Sequence, residues 1–140
     1  MKLRVVLVIA LCLAFVALIF HENHQQKESM RRNTFLAAYS DLSNLPDFTY
    51  VTHQTDNIFL LQTPDAPAQS AILPQSIASM LAKRQLLSLR KVGDDVFFIT
   101  GGAVDDEFGY VISSDDQIYI DGLWHIDRIE SGLYRFSTMK

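Results

Sequence analysis

The sequence predicts an α+β protein, in which an N-terminal transmembrane helix is followed by a small domain of two helices and an antiparallel β-meander. Three observations predict it. Sixteen uncharged apolar residues run unbroken from Val5 to Phe20. A polar stretch rich in helix formers, without Gly or Pro, extends from His21 to Leu45. From Phe48 onward, short β-prone runs alternate with Asp, Asn, Ser and Gly turn signals. The expected organisation is a membrane anchor over 1–21, a juxtamembrane helix over 22–45 and an extracytoplasmic α+β domain over 46–140.

The apolar run is ~24 Å long as a helix, short of a ~30 Å hydrocarbon core. Snorkelling Lys2 and Arg4 complete the span. A cleaved signal peptide has the same basic start and apolar centre, but bulky Leu18-Ile19-Phe20 stands where a small-x-small cleavage site would be. A lipoprotein signal is excluded because Leu11 precedes Cys12. The basic residues on the two sides nearly balance, and a long following domain translocates largely regardless of charge. The expectation is therefore a single-pass protein of the plasma (inner) membrane, inserted through residues 3–20, with its C-terminal domain extracytoplasmic.

The helix after the anchor starts polar all round and becomes amphipathic from Met30, with Phe35, Leu36, Ala38, Tyr39, Leu42 and Leu45 gathering late. Pro46 ends it, since the residue before proline leaves the α region. Phe48–His53 and Ile58–Thr63 flank Thr55-Asp56-Asn57 as a hairpin, and Pro64–Ser70 reads as a loop. Leu73–Arg84 reads as a short helix with Pro74 in its first turn. Leu87–Arg90 and Val96–Thr100 form a hairpin around Gly93-Asp94-Asp95. Strands over Phe108–Ser113, Gln117–Ile120, Trp124–Ile129 and Leu133–Ser137 follow, with turns at Ser114-Asp115-Asp116 and Glu130-Ser131-Gly132.

The formal charge of the 140 residues is −4, unevenly spread. From Val92 onward there are ten acids and three bases, whereas His21–Lys91 holds six acids and seven bases. An acidic surface is a poor match for a nucleic-acid backbone and suits a basic protein partner. The sole cysteine lies in the apolar run, so the remainder has no disulfide, thiol nucleophile or cysteine zinc site.

Two acidic clusters, Asp105-Asp106-Glu107 and Asp115-Asp116, bracket Phe108–Ser114. Adjacent rather than alternating acids do not make a calcium loop. The first reading of both clusters is turn chemistry, with Gly101-Gly102 supplying positive φ. His125 and Asp127 share a face of a strand, and with Asp121 they offer an N/O metal set that lacks the spacing of a known zinc pattern. No nucleophile elbow or phosphate loop occurs, and no cofactor is implied. Tyr134 and Phe136 alternate with Arg135, so one face of the last strand is aromatic; its default place is the core.

The reading favoured by the sequence is an accessory or immunity-like protein whose domain binds another envelope protein. The contact residues would be Asp105, Asp106, Glu107, Asp115, Asp116, Trp124, Tyr134 and Phe136, the aromatics taking part if exposed. The alternative is a membrane-tethered hydrolase or metal-dependent enzyme using Asp105, Asp106, His125 or Asp127.

Overall fold

The structure, a computed structural model, describes residues 2–103, 106–115, 118 and 125–138. It is an α+β protein that has, among the described residues, two helices and antiparallel sheets of three and five strands. By internal contacts it forms two units, Met1–Asn33 and Thr34–Lys140.

The first unit is helical from Lys2, and belongs to α1 (Lys2–Ser43). Its apolar part has a mean hydropathy of 2.2, and none of that stretch is buried. By length and composition this is a helix able to cross a membrane.

The second unit begins with the last turns of α1, where Phe35, Ala38 and Leu42 are buried. Their i, i+3, i+7 spacing puts them on one helical face. That face packs on the five-stranded sheet, with Phe35 stacked on Phe98 at 4.2 Å between ring centroids. Tyr39, a turn after Phe35, donates from its hydroxyl to the Asp94 carbonyl at 2.8 Å.

The first sheet comprises β1 (Tyr50–Thr55), β2 (Ile58–Thr63) and β3 (Ala66–Ile72), in that spatial order. The β1–β2 turn is the expected one, and Asp56 takes the positive φ (45°) that a two-residue hairpin turn demands. β3 corrects the expectation of a loop over Pro64–Ser70. Pairing with β2 imposes the strand on prolines and small residues, and Pro67 is accommodated where the β2–β3 register shifts, between Leu61 and Thr63. The helix α2 (Gln75–Ala82) follows, with Pro74 as its N-cap residue and Ile77, Ala78 and Met80 buried.

The second sheet comprises β4 (Ser88–Val92), β5 (Asp95–Ala103), β6 (Asp106–Ile112), β7 (His125–Glu130) and β8 (Leu133–Ser137). Its order is β4-β5-β6-β8-β7, so the last hairpin enters with β8 inward rather than continuing a simple meander. The run Val96–Ile99 is buried on both faces of the sheet, which is why it reads as continuously apolar instead of alternating. Val96, Phe98, Tyr110, Ile112 and Leu133 face the main core with α1, α2, Phe59 and Leu61. Phe97, Ile99, Val111, Tyr134 and Phe136 form a second cluster, with Ile118 packed against it.

Two expectations change at the β5–β6 connection. Gly101 and Gly102 lie within β5, and Asp106 and Glu107 open β6 rather than forming a turn. Gly102 does hold a positive φ of 136°. At Gly109, opposite Ile99, an added Cβ would collide with the Phe98 carbonyl, so this crossing requires glycine. The expected strand over Gln117–Ile120 lies outside the described residues except Ile118, which is in no strand.

A clamp joins the two sheets. Phe48 and Lys91 exchange backbone hydrogen bonds at 3.1 and 2.8 Å. The nearly buried Lys91 ammonium donates to Asp47 at 3.0 Å, and Asp47 also accepts from the Gly93 N–H.

Candidate functional site

The β5–β6 register, with Val96 opposite Ile112, sets what lies at that end of the sheet. One residue further out, Asp95 comes beside Ser113, and the turn carrying Asp94 comes beside Ser114 and Asp115. The Ser114 hydroxyl donates to the Asp94 carboxylate at 3.2 Å, and the Ser113 hydroxyl to Asp115 at 3.5 Å. Two turns that each read as ordinary in sequence thus assemble one acidic end of Asp94, Asp95 and Asp115.

The electrostatics of this end are unfavourable in the isolated protein. Asp95 is only 9% exposed. Its burial holds the carboxyl above its usual range, and the Asp115 and Asp94 carboxylates push it further, against a hydrogen bond from Ser113. Burial likewise raises the Tyr39 phenol; the three aspartates add to the effect, against a hydrogen bond from Ser114. A cation placed here would favour the ionised form of Asp95.

The other predicted site residues are dispersed. Asp106 and Glu107 stand at the opposite end of β6, ~20 Å away along the strand, and Glu107 forms an ion pair with Arg90. Tyr134 and Phe136 are 6% and 1% exposed, which makes them core residues rather than a contact surface. Asp105, Asp116 and Trp124 lie outside the described residues, as does Asp121.

His125 and Asp127 do share a strand face, with Nε2 and Oδ2 at 2.9 Å. Both side chains are exposed on the edge strand β7. Among the described residues no three His, Cys, Asp or Glu side chains come close enough to hold a metal ion. This exposed contact lacks the desolvation of a buried catalytic pair, and Asp121, the third member of the predicted set, lies outside the described residues.

Sequence reasoning missed an open groove of about 810 Å³, lined by both polar and apolar side chains, between the β1–β2 hairpin and α2. Val51, Phe59, Ala78 and Leu81 line it, and Ile72 and Leu87 stand exposed at its rim. His53 closes one side, its ring 5.1 Å from Phe59 and its Nε2 3.0 Å from the Asp56 carbonyl. No linear motif marks the groove, because it arises from the placement of α2 beside strands read as a free hairpin and a loop.

The sequence matches no family model and no curated protein, and the fold matches no solved structure.

Proposed function

We propose that the chain is a single-pass protein of the plasma membrane whose extracytoplasmic domain binds another envelope protein, as an accessory or immunity-like subunit. The membrane part rests on the apolar helix, whose length and exposed hydrophobic surface call for a lipid environment. The binding part is carried by one observation, the convergence of Asp94, Asp95 and Asp115 on one end of the five-stranded sheet. Carboxylates gathered on one end of a sheet are complementary to a cationic surface, which also steers association over long range. The partner therefore presents Lys or Arg to this end.

Site-specific photo-crosslinking in native membranes tests the reading. A crosslinker at Ser114, beside the acidic end, is expected to trap an envelope protein. Asp94→Lys combined with Asp115→Lys is expected to abolish the adduct while the chain stays in the membrane fraction. An adduct that survives this double charge reversal would overturn the acidic end as the contact. Labelling of a cysteine placed at Ser131 by a membrane-impermeant maleimide, in a Cys12→Ser background, reads the orientation; protection in intact cells would overturn the extracytoplasmic placement.

A further inference from the structure

The region from Phe48 to Ala82 contains 35 residues and only two formal charges, Asp56 and Asp65. The rest of the second unit holds twelve acids and seven bases, so that Thr34–Lys140 as a whole carries a formal charge of −7. A charge-poor segment is ordinary when buried. Here it builds a sheet whose outer strands are almost fully exposed, every residue of β3 except Ala71 among them.

The outer face of that sheet is already internally paired. Tyr50 donates to the Gln62 side-chain oxygen at 2.7 Å, Gln62 donates to the Thr52 hydroxyl at 2.9 Å, and Ser70 donates to Gln54 at 3.3 Å. Beside these pairs stand Ile58 and Ile72, the latter 74% exposed. Polar side chains that satisfy one another lose little when water is removed.

The edge itself is ready to pair. The Leu73 N–H donates to the Asn57 carbonyl at 3.0 Å. In an antiparallel ladder this orientation alternates, so Leu73, Ala71 and Gln69 turn their backbone groups toward β2. Ile72, Ser70 and Ala68 turn theirs outward. Exposed edges are normally blunted by lysine, an inward charge or a central proline. β3 has no charged residue, and its one proline, Pro67, sits at the register shift near its start.

We propose that β3 pairs antiparallel with β3 of a second copy of this chain. Ser70 would lie opposite Ser70, and Ile72 opposite Ala68, joining the two three-stranded sheets into one of six strands. The strand's self-complementarity selects a second copy as the occupant, since the register sets Ile72 against the small Ala68 and leaves no charge facing a like charge. Two domains of charge −7 repel wherever their acidic surfaces meet, and an uncharged, self-complementary strand is where they can approach. A shared membrane raises the effective concentration of the two copies; this last point rests on the anchor reading above.

The test is disulfide trapping of the full-length Cys12→Ser, Ser70→Cys chain, in native membranes and after detergent extraction. Residues opposite each other in a hydrogen-bonded antiparallel pair have a Cα separation of ~5.5 Å, within disulfide range. The expected result is a disulfide-linked dimer in both settings, with none formed by Glu130→Cys on the far edge. Light scattering of the wild-type chain in detergent should give a dimer, and Ser70→Lys, which sets like charges opposite each other, should raise its dissociation constant at least ten-fold with unchanged circular dichroism. A wild-type monomer in detergent with no Ser70→Cys dimer in membranes overturns the proposal, as does trapping of a different protein at Ser70→Cys. Recovery of the chain in the soluble fraction would count against the anchor instead, and the detergent-free dimer measurement would then decide the pairing alone.

Discussion

The five-stranded sheet buries side chains on both faces, Phe98 and Tyr110 toward the helices and Phe97, Val111 and Phe136 toward the second cluster. The three-stranded sheet fully buries only Phe59 and Leu61 of its side chains and leaves β1 and β3 almost wholly exposed. The charges are distributed the other way. The buried sheet carries Arg90, Lys91, Asp95, Asp106, Glu107, Asp127, Arg128, Glu130 and Arg135 along its strands, and the exposed sheet carries no Lys, Arg, Asp or Glu within any strand. A surface shaped by solvent alone collects charge. The inversion shows that exposure in the isolated chain and the environment implied by composition are separate properties.

The largest break in this comparison is a truncation in the buried sheet. Phe98 is fully buried and stacked on Phe35. Phe98→Ala removes the contact that fixes the end of α1 on the sheet, and should lower stability by about 3–5 kcal/mol. Thermal unfolding in detergent, followed by near-UV circular dichroism, measures it. A loss below ~1 kcal/mol would mean that the helix end is not part of this core.

Next in size is the clamp between the sheets. Asp47→Ala leaves the Lys91 ammonium, 7% exposed, without its carboxylate and frees the Gly93 N–H. Hydrogen bonds to charged groups contribute ~1.5–3 kcal/mol. Asp47 is itself more than half exposed, so screening holds the expected loss to about 1–2 kcal/mol. If the clamp alone holds the three-stranded sheet to the other, amide exchange should rise in β1–β3 before β4–β8; uniform exchange would show that the shared core joins them more strongly.

The sequence makes much of this architecture legible, and the failures share a cause. The buried face of α1, the turns at Asp56-Asn57, Gly93-Asp94 and Ser131-Gly132, and the pairing of β7 with β8 are local signals, set by helical period and turn chemistry. β3 was hidden because APAQSAI lacks the β-branched and aromatic residues that mark strands, and β2 supplies the pairing instead. The insertion of β8 beside β6 depends on contacts between strands distant in sequence. The acidic clusters were visible as residues but not as a site. Sequence groups Asp105 with Asp106 and Asp115 with Asp116, whereas register groups Asp115 with Asp94 and Asp95. The aromatic pair Tyr134 and Phe136 went to the core because the five-stranded sheet is covered on both faces.

The acidic end and the clamp give opposite pH signatures. Asp95 has its folded pKa raised above the ordinary 3.8, first by burial and then by Asp115 and Asp94. Its contribution is fully present below 3.8 and is lost as pH rises through the folded value. At Asp47, burial alone would raise the pKa, but the Gly93 N–H and the Lys91 ammonium together bring it below 3.8. Its contribution is present above 3.8 and is lost as pH falls through the folded value. Asp95→Asn should therefore raise the melting temperature at pH 7, with the gain fading toward pH 3.8, while Asp47→Asn should lower it at pH 7 and converge with the wild type only in stronger acid. Melting curves across this range separate the two, and an Asp95→Asn variant less stable than wild type at pH 7 would show that its hydrogen bond to Ser113 outweighs the repulsion.

The smallest effect on the folded monomer is expected at Ile72. Its side chain is 74% exposed, so Ile72→Ala should change monomer stability by less than ~0.5 kcal/mol. That figure holds only for a chain whose β3 edge is empty. In the paired arrangement Ile72 lies opposite Ala68 of the second copy, and truncating it removes apolar contact that forms only on association. Anything that binds the folded state alone stabilises it in proportion to occupancy. Wild type and Ile72→Ala should thus melt together at high dilution in detergent and separate as protein concentration rises, the wild type moving upward. Curves that coincide at every concentration would reduce the contrast between the sheets to one of composition, with the uncharged face facing solvent after all. Curves that diverge would show that the exposed sheet lacks charge because it is an interface.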